Sequence, residues 1–235
     1  MTRRRWIADE VAGTHAALTG TNADHLSRVL RPRVGQEFDI SIGEGLRRGV
    51  ISGIHPGRVE FELKETVPAA RTVRIVLALS IFKFDRMEWA IEKCTELGVE
   101  RIIPILASRT DSHLAAASVK RAERWRRIAR EAAQQSRQTA PPEIAQPAKL
   151  KETISQISSG VRIVLSESER EMMLRDVSFP GDQTALAIGP EGGWTAGELN
   201  MFQDVGWTSA SLGTTILRAE TAAIAATAIV LAGLK

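Results

Sequence analysis

The chain has 235 residues, of which 43% are hydrophobic, and a formal net charge of +3. This length and composition suffice for one large domain or two small ones with a filled core. The longest apolar stretch, residues 222–234, is shorter than the roughly 20 residues that span a bilayer, and residues 1–10 lack the apolar segment of a signal peptide. We therefore expect a soluble, cytoplasmic protein with no membrane segment. The single cysteine excludes an internal disulfide and suits a reducing compartment.

The first part of the chain has the alternating pattern of β-strands. Residues 38–42 and residues 59–63 alternate apolar with polar side chains, and glycines punctuate the sequence between them. This pattern predicts a small β-rich domain of short strands and tight turns over residues 1–68.

After Pro68 the pattern changes to strands that alternate with helices. Residues 73–81 form a continuous apolar run, and helical spacing follows until Gly98. Further along, the sequence predicts strands over residues 102–106, 161–165, 184–188 and 207–212, a helix over 117–135 and a loop over 140–147. Apolar strands that alternate with helices predict a second domain over residues 69–235, of the α/β class, with a mostly parallel sheet covered on both faces.

Two glycine-rich segments follow strands near the C-terminus. They are I-G-P-E-G-G-W-T-A-G-E from Ile188 and S-L-G-T-T-I-L-R-A-E-T from Ser211. Glycine permits positive φ and close approach of the backbone to a ligand, and open α/β sheets bind ligands outside the carboxyl ends of their strands. We therefore prefer a small-molecule site to simple tight turns. Thr195 and Glu198 have the spacing of a capping box, which predicts a helix directly after the first segment.

Other cofactor and metal sites lack their sequence signatures. No G-x-G-x-x-G motif follows a strand and no P-loop motif occurs, so neither a dinucleotide site nor a P-loop is indicated. The four histidines are scattered without the spacing of metal ligands, and we expect no metal. Cys94 lies on the apolar stripe of the helix before Gly98, which favours a packed core thiol over a nucleophile.

Arginines cluster in two regions, and such basic patches attract polyanions by releasing counterions. On the helix that contains Trp125, the residues Arg126, Arg130 and Arg137 fall near one face, so we favour phosphate contact there over a merely solvated surface. In the N-terminal domain the clusters are Arg3, Arg4 and Arg5, for which a solvated arm is a credible alternative, and Arg28, Arg31 and Arg33.

These segments together resemble the SPOUT class of knotted methyltransferases, and within it the RsmE family, which methylates N3 of a uridine in 16S ribosomal RNA of the small subunit. The resemblance rests on H-L-S-R-V-L-R-P-R-V-G from His25, K-F-D-R-M-E-W-A-I-E-K-C-T-E-L-G-V from Lys83, Gln135-Ser136 and the two glycine-rich segments. It implies a C-terminal domain with a trefoil knot, an N-terminal PUA-like RNA-binding β-barrel, and a homodimer.

The resemblance also implies that S-adenosylmethionine lies across three loops. The residues that would bind it are Leu165 and Ser166; Ile188, Gly189, Pro190, Glu191, Gly192 and Gly193; and Ser211, Leu212, Gly213, Ile216 and Leu217. Glu191 would engage the ribose hydroxyls or the cationic end of the cofactor, or lie near the N-terminus of the next helix, where a carboxylate is favoured.

Methyl transfer to uracil N3 requires loss of a proton, so the site should offer either a base or a cation that stabilises the negative charge developing on the uracil oxygens. Arg218 is the candidate for that cation, with a phosphate contact or a salt bridge to Glu220 as the alternative. Glu220 and Thr221 match the family motif, and Glu220 is the second candidate catalytic residue, although at a helix start both could simply cap. Neither is assigned as the base. Arg28, Arg31, Arg126, Arg130 and Arg137 would contact RNA.

Two residues depart from the family pattern: Gln138 and Thr215 stand where arginine is expected. Two other functions remain open for this sequence. One is a SPOUT methyltransferase with a different RNA target, because the cofactor loops are shared across the class. The other is a noncatalytic RNA-binding module for ribosome assembly, which the intact second loop disfavours.

Overall fold

The computed structural model describes residues 5–43, 45–68, 74–158, 160–181 and 183–234. The chain divides into two compact units: the first contains Met1–Arg71 and Ala133–Ala140, and the second contains Thr72–Ala132 and Pro141–Lys235. A short segment from the middle of the chain thus belongs to the N-terminal unit. The trefoil knot and the PUA-like identity of the N-terminal unit stay predictions.

The first unit is built on a curled, mostly antiparallel sheet. In chain order its elements are β1 (Arg5–Ile7), β2 (Glu10–Ala12), β3 (His15–Thr19), α1 (Gly20–His25), a π-helical turn (Leu26–Leu30), β4 (Glu37–Ser41), β5 (Leu46–His55) and β6 (Arg58–Val67). Within the described residues the strand order is β1-β4-β5-β6-β3-β2. β1 pairs with β4 in parallel, and the other neighbours are antiparallel.

Alternate residues of these strands form the core of the first unit. Leu18, Ile40 and Phe61 are fully buried, and they pack in one cluster with the helical segment that follows β3. Gly49 of β5 packs so closely against Ile40 that a Cβ has no room. The alternating apolar pattern therefore predicted the strands correctly.

The second unit contains a parallel sheet flanked by helices. Its elements are β7 (Arg74–Ser80), α2 (Phe84–Glu96), β8 (Arg101–Leu106), α3 (Ser112–Gln135), β9 (Glu143–Ile144), β10 (Ala148–Lys149), α4 (Leu150–Ile154), β11 (Val161–Leu165), a 3-10 turn (Leu174–Asp176), β12 (Gln183–Ile188), α5 (Ala196–Asp204), β13 (Thr208–Ala210) and α6 (Ala219–Gly233). Over the part of the chain that is described, the strand order is β10-β8-β7-β12-β11-β13, and β9 pairs with β8. All pairs are parallel, which confirms the predicted α/β class.

Both faces of this sheet are covered. Leu77 of β7 packs on one side in a cluster that includes Trp125 of α3 and Ala226 of α6. Ala78, the next residue, belongs to the cluster on the other side with Phe202 of α5. Because successive side chains of a strand point to opposite faces, two apolar layers require the continuous apolar run seen in the sequence.

The helix α3 begins earlier than predicted, at Ser112 rather than near residue 117. The carboxylate of Asp111 accepts hydrogen bonds from the backbone N–H groups of His113 at 2.8 Å and Leu114 at 3.3 Å. These bonds satisfy donors that have no partner within the helix. The side chain of Asp111 therefore sets the start of the helix. The short strand β9 lies within the predicted loop over residues 140–147.

The helix α3 ends in a left-handed turn at Arg137, whose φ is +61°. The N–H of Gln138 donates to the carbonyl of Ala133 at 2.9 Å, and the N–H of Arg137 donates to the carbonyl of Gln134 at 3.3 Å. This pair of bonds is the Schellman motif, which usually has glycine at the left-handed position. Arginine at residue 137 therefore carries a conformational strain that glycine would not.

Side chains of the first unit hold the backbone after this turn. The Arg5 guanidinium donates to the carbonyl of Arg137, and the Ser41 hydroxyl donates to the carbonyl of Thr139. The segment Ala133–Ala140 is therefore bonded to the strands β1 and β4 of its own unit.

Cys94 of α2 is fully buried, as expected of a core thiol. Burial raises the pKa of its thiol to about 12, although a hydrogen bond with Thr227 of α6 acts in the opposite direction. The thiol therefore stays protonated at neutral pH.

No helix among the described residues is long and apolar enough to cross a membrane.

Candidate active site

The three predicted cofactor loops lie together at one edge of the parallel sheet. β11 lies between β12 and β13, and all three strands run in the same direction. The loops that follow them begin at Ser166, Gly189 and Ser211. The N–H of Ser166 donates to the carbonyl of Ala210 at 3.0 Å, so the first residue after β11 is bonded to the last residue of β13.

The first glycine-rich loop, residues 188–193, packs on the indole of Trp194. The Trp194 Nε1–H donates to the carbonyl of Leu165 at 3.1 Å. A Cβ on Gly189 would lie 3.2 Å from this Nε1. Gly193 has a φ of +68°, and its N–H closes a tight turn on the carbonyl of Pro190 at 2.8 Å. Glycine at residue 193 thus allows the turn, and glycine at residue 189 allows the close approach to the indole.

The exposure of the first loop differs along its length. Ile188 and Pro190 are buried, Gly189 and Gly193 are half-buried, and Glu191 and Gly192 are exposed. The last residue of β11, Leu165, and the first residue of the loop after it, Ser166, are both buried. The hydroxyl of Ser166 is 2.7 Å from that of Ser168.

The second glycine-rich loop is more open. The Ser211 hydroxyl donates to the carbonyl of Gly213 at 3.1 Å. Gly213 has a φ of +143°, and no described atom lies within 4 Å of the place that a Cβ would take. Leu212 and Leu217 are half-buried, whereas the side chain of Ile216 is 81% exposed. The loop therefore has open space beside Gly213, and both its backbone groups and the apolar side chain of Ile216 are accessible.

The helix α5 begins with the predicted capping box. The Thr195 hydroxyl accepts from the N–H of Glu198 at 3.2 Å, and the Glu198 carboxylate accepts from the N–H of Thr195 at 2.8 Å. The same carboxylate accepts from the N–H of Ser108, after β8, at 2.7 Å. Burial alone would raise the pKa of the Glu198 carboxyl, but these hydrogen bonds outweigh it and hold the pKa below its usual range. Glu198 therefore joins the glycine-rich loop to the loop after β8.

Two arginines that the sequence analysis did not assign to the site contact the first loop. Arg109, after β8, donates from Nη1 to the carbonyl of Gly192, with a longer bond of 3.5 Å to the carbonyl of Trp194. Arg86 of α2 donates from Nη1 to Oε1 of Glu191 at 3.0 Å. Arg86 lies inside the segment from Lys83 that carries the family resemblance, which was a usable signal. Nothing local in the sequence marks Arg109.

The contact with Arg86 also bears on the role of Glu191. The predicted roles of this carboxylate, contact with the cofactor or a position near the N-terminus of the next helix, did not include an ion pair with a residue of α2. Arg86 supplies a protein cation at 3.0 Å, and the Glu191 side chain is 41% exposed.

The two predicted catalytic residues lie at the start of α6 in different environments. Arg218 is the N-cap residue and is exposed, whereas the side chain of Glu220 is only 4% exposed. Within the described residues no ion pair joins Arg218 to Glu220. The Nε of Arg86 is instead 3.8 Å from Oε1 of Glu220, and Oε2 of Glu220 has no hydrogen-bond partner among the described atoms.

Several arginines of α3 form ion pairs or hydrogen bonds within the second unit. Arg124 binds the carboxylate of Glu88 of α2 with two bonds of 2.8 and 2.9 Å, and Arg121 also pairs with Glu88. The predicted RNA-binding residues Arg126 and Arg130 are half-buried. The Nε of Arg126 donates to the carbonyl of Ile144 at 3.1 Å.

The remaining predicted RNA-binding residues belong to the first unit. Arg28 lies on the π-helical turn, Arg31 follows it with a left-handed φ of +42°, and Arg137 ends the Schellman motif. All three side chains are exposed. Arg3 and Arg4 lie outside the described residues. Across the described ranges, no group of three His, Cys, Asp or Glu side chains is placed to hold a metal ion.

Comparison with known proteins assigns the class. A family model for the RNA methyltransferase domain matches residues 69–231, so the chain is a member of the RNA methyltransferases. The small-subunit ribosomal RNA methyltransferase E of Synechocystis is 32% identical over 223 residues, which cover 91% of this chain and 72% of the relative. The chain belongs to this family, the RsmE family.

Solved structures agree with this assignment. A ribosomal RNA small subunit methyltransferase E from Neisseria gonorrhoeae, crystallised with S-adenosylmethionine, is 28% identical with a TM-score of 0.85, covering 98% of this chain and 97% of that one. A methyltransferase from Legionella pneumophila, also crystallised with S-adenosylmethionine, is 26% identical with a TM-score of 0.84, covering 99% and 98%. The similarity thus extends over both units.

Proposed function

We propose that this chain transfers a methyl group from S-adenosylmethionine to N3 of a uridine in 16S ribosomal RNA. The observation that carries the proposal is the convergence of three loops, rich in glycine and serine, at the carboxyl ends of β11, β12 and β13. Open α/β sheets bind ligands at such an edge. Membership of the RsmE family and relatives crystallised with this cofactor support the same function.

The loop residues fit the cofactor chemically. A Cβ on Gly189 would lie 3.2 Å from the Trp194 ring, so the ring would have to shift, whereas Gly213 has open space beside it. Main-chain N–H and C=O groups at such positions can hydrogen-bond adenine and ribose without interference from side chains. The residues proposed to bind S-adenosylmethionine are those predicted from the sequence: Leu165, Ser166, Ile188, Gly189, Pro190, Glu191, Gly192, Gly193, Ser211, Leu212, Gly213, Ile216 and Leu217.

S-adenosylmethionine supplies an electrophilic methyl group on a sulfonium. The protein must align the acceptor nitrogen with that methyl group and exclude other geometries. The exposed guanidinium of Arg218, at the mouth of the second loop, is proposed to stabilise the negative charge on the uracil oxygens as N3 loses its proton. Glu220 is proposed as the second catalytic residue. Its Oε2 has no hydrogen-bond partner among the described atoms, and a buried carboxylate oxygen favours a donor.

RNA contact is proposed for arginines in each unit. Arg28, Arg31 and Arg137 are exposed in the first unit, and phosphate contacts from such side chains position a nucleic acid without specifying its sequence. Arg126 and Arg130 of the second unit are proposed for the same role.

The assembly is proposed to be a homodimer that acts on the small ribosomal subunit in the cytoplasm. The Trp89 side chain on α2 is 48% exposed, which is unusual for so large an apolar group and fits a surface covered by a second copy.

A methyltransferase with another RNA target, and a noncatalytic assembly factor, are the competing functions.

A labelling experiment separates these functions. Purified protein is incubated with radiolabelled S-adenosylmethionine and either naked 16S RNA or small subunits that lack the modification, and the labelled nucleoside is then mapped. We expect label on uracil N3. Label on another position would refute the proposed substrate, and cofactor binding without label on either RNA form would favour the noncatalytic module. An R218M variant should bind the cofactor normally and lose at least about 100-fold in rate, the magnitude typical of lost charge stabilisation.

A further inference from the structure

One side chain contacts both glycine-rich loop regions. Arg86 lies in the first turn of α2, which follows β7. Its Nη1 is 3.0 Å from Oε1 of Glu191 in the first loop, and its Nε is 3.8 Å from Oε1 of Glu220 after the second loop. Three segments that follow three different strands therefore meet at one guanidinium.

The two carboxylates differ in how much they depend on this arginine. The Glu191 side chain is 41% exposed, so water can solvate it, whereas that of Glu220 is 4% exposed. A buried carboxylate is unfavourable unless a cation or hydrogen bonds compensate it. Loss of Arg86 would leave Glu220 without this cation and would detach Glu191 from α2.

Arginine suits this position better than lysine. The guanidinium is planar and carries five N–H groups in a fixed arrangement, so it can face two carboxylates in different directions. The lysine ammonium is a compact charge on a flexible chain. A lysine at residue 86 should therefore hold one carboxylate and leave the other less well placed.

We infer that Arg86 is a positioning residue for the cofactor, which fixes the spacing between the first glycine-rich loop and the start of α6. The inference rests on the proposed function, in which both loops bind S-adenosylmethionine. Loops that bind through main-chain groups cannot adapt by rotating side chains, so their spacing sets the affinity. A site that is ordered in advance binds more tightly because less order is lost on binding.

The test measures the affinity for S-adenosylmethionine by calorimetry without RNA, in the wild type, R86M, E191Q and the double variant. We expect R86M to weaken binding about tenfold, within the range of interaction energies of residues in contact, and E191Q by less, because E191Q leaves the pair between Arg86 and Glu220 in place. The double variant should bind no more weakly than R86M, because R86M alone already breaks the pair with Glu191. R86K should bind with an affinity between those of R86M and the wild type. In turnover, R86M should raise KM for S-adenosylmethionine and, because it also removes the cation beside Glu220, lower kcat.

Arg58 of the first unit provides a matched control. It also pairs with two carboxylates, those of Glu10 at 2.8 Å and Glu60 at 2.9 Å. R58M removes the same kind of ion pair outside the cofactor loops, so its affinity for S-adenosylmethionine should equal that of the wild type. If R58M lost as much affinity for S-adenosylmethionine as R86M, the effect would come from the general charge of the protein, and the inference would be overturned.

The remaining outcomes are also decisive. An R86M affinity within about twofold of the wild type, or losses in R86M and E191Q that multiply in the double variant, would overturn the inference and leave the proposed function intact. If R86M does not fold, E191Q decides, because it leaves the buried pair in place: an E191Q affinity equal to the wild type overturns the inference. Absence of binding by the wild type would overturn both.

Discussion

Replacing Glu198 with glutamine should destabilise the second unit. The Glu198 side chain is buried, and its carboxylate accepts from the N–H of Ser108 at 2.7 Å, the N–H of Thr195 at 2.8 Å and the Thr195 hydroxyl at 2.9 Å. A glutamine amide has one acceptor oxygen, so in either orientation its NH₂ faces a backbone N–H. One buried donor then loses its acceptor and the other bonds lose their charge, which together should lower the free energy of unfolding by about 2–4 kcal/mol.

The assay is guanidinium unfolding of the wild type and E198Q at neutral pH, with the exposed Glu123→Gln on α3 as the control. Hydrogen bonds hold the folded-state pKa of Glu198 below its usual value. The stabilisation is therefore present above the unfolded-state pKa of about 4.3 and is lost as the pH falls through the folded-state pKa. The difference between wild type and E198Q should accordingly shrink in acid. An E198Q loss below about 0.5 kcal/mol at neutral pH, which is the range of ordinary surface substitutions, would refute the reasoning.

Three further predictions concern glycine, backbone strain and the thiol. G189A should lower the free energy of unfolding by about 1–3 kcal/mol because its Cβ would lie 3.2 Å from Nε1 of Trp194, whereas G197A, with no described atom near its Cβ, should be neutral or stabilising in the same denaturation assay. R137G should raise the unfolding free energy by about 0.5–1 kcal/mol, since glycine adopts a φ of +61° without strain; a destabilised variant would show that the arginine side chain makes a compensating contact. Cys94 should resist a thiol reagent at pH 8 in the native protein and react fully in denaturant, because burial raises its pKa to about 12; rapid native labelling would contradict its burial.

Local sequence patterns predicted much of the fold because most elements here are long enough to show a period. The helix α2 and the strands β7, β11 and β12 lie close to the predicted ranges. The two-residue strands β9 and β10 are too short to show any period, and they exist through pairing with β8. Likewise β1 pairs with β4, which lies more than thirty residues further along the chain, and a pairing over that distance leaves no local sequence pattern.

The glycine positions of the candidate site were predictable because backbone geometry favours that residue type. A close approach favours glycine at residue 189 and a positive φ favours it at residue 193, so both left a visible pattern. Arg86 left none of its own, because a charged residue in the first turn of a helix is common and its partner Glu191 is 105 positions away. Side-chain links between loops therefore require the structure, or a known family motif, to be found.

The proposed cofactor binding requires a loop made of small residues to discriminate between ligands, and the side chains that support the first loop account for how it would do so. A main-chain N–H or C=O group discriminates between ligands only if its position is fixed, and glycine alone does not fix it. In this protein Trp194 bonds the carbonyl at the end of β11, Glu198 bonds the N–H of Ser108, and Arg109 bonds the carbonyl of Gly192. Each support uses a side chain, so the remaining main-chain groups stay available to the ligand. Variants of these supporting side chains should therefore weaken cofactor binding even though none of them need touch the cofactor.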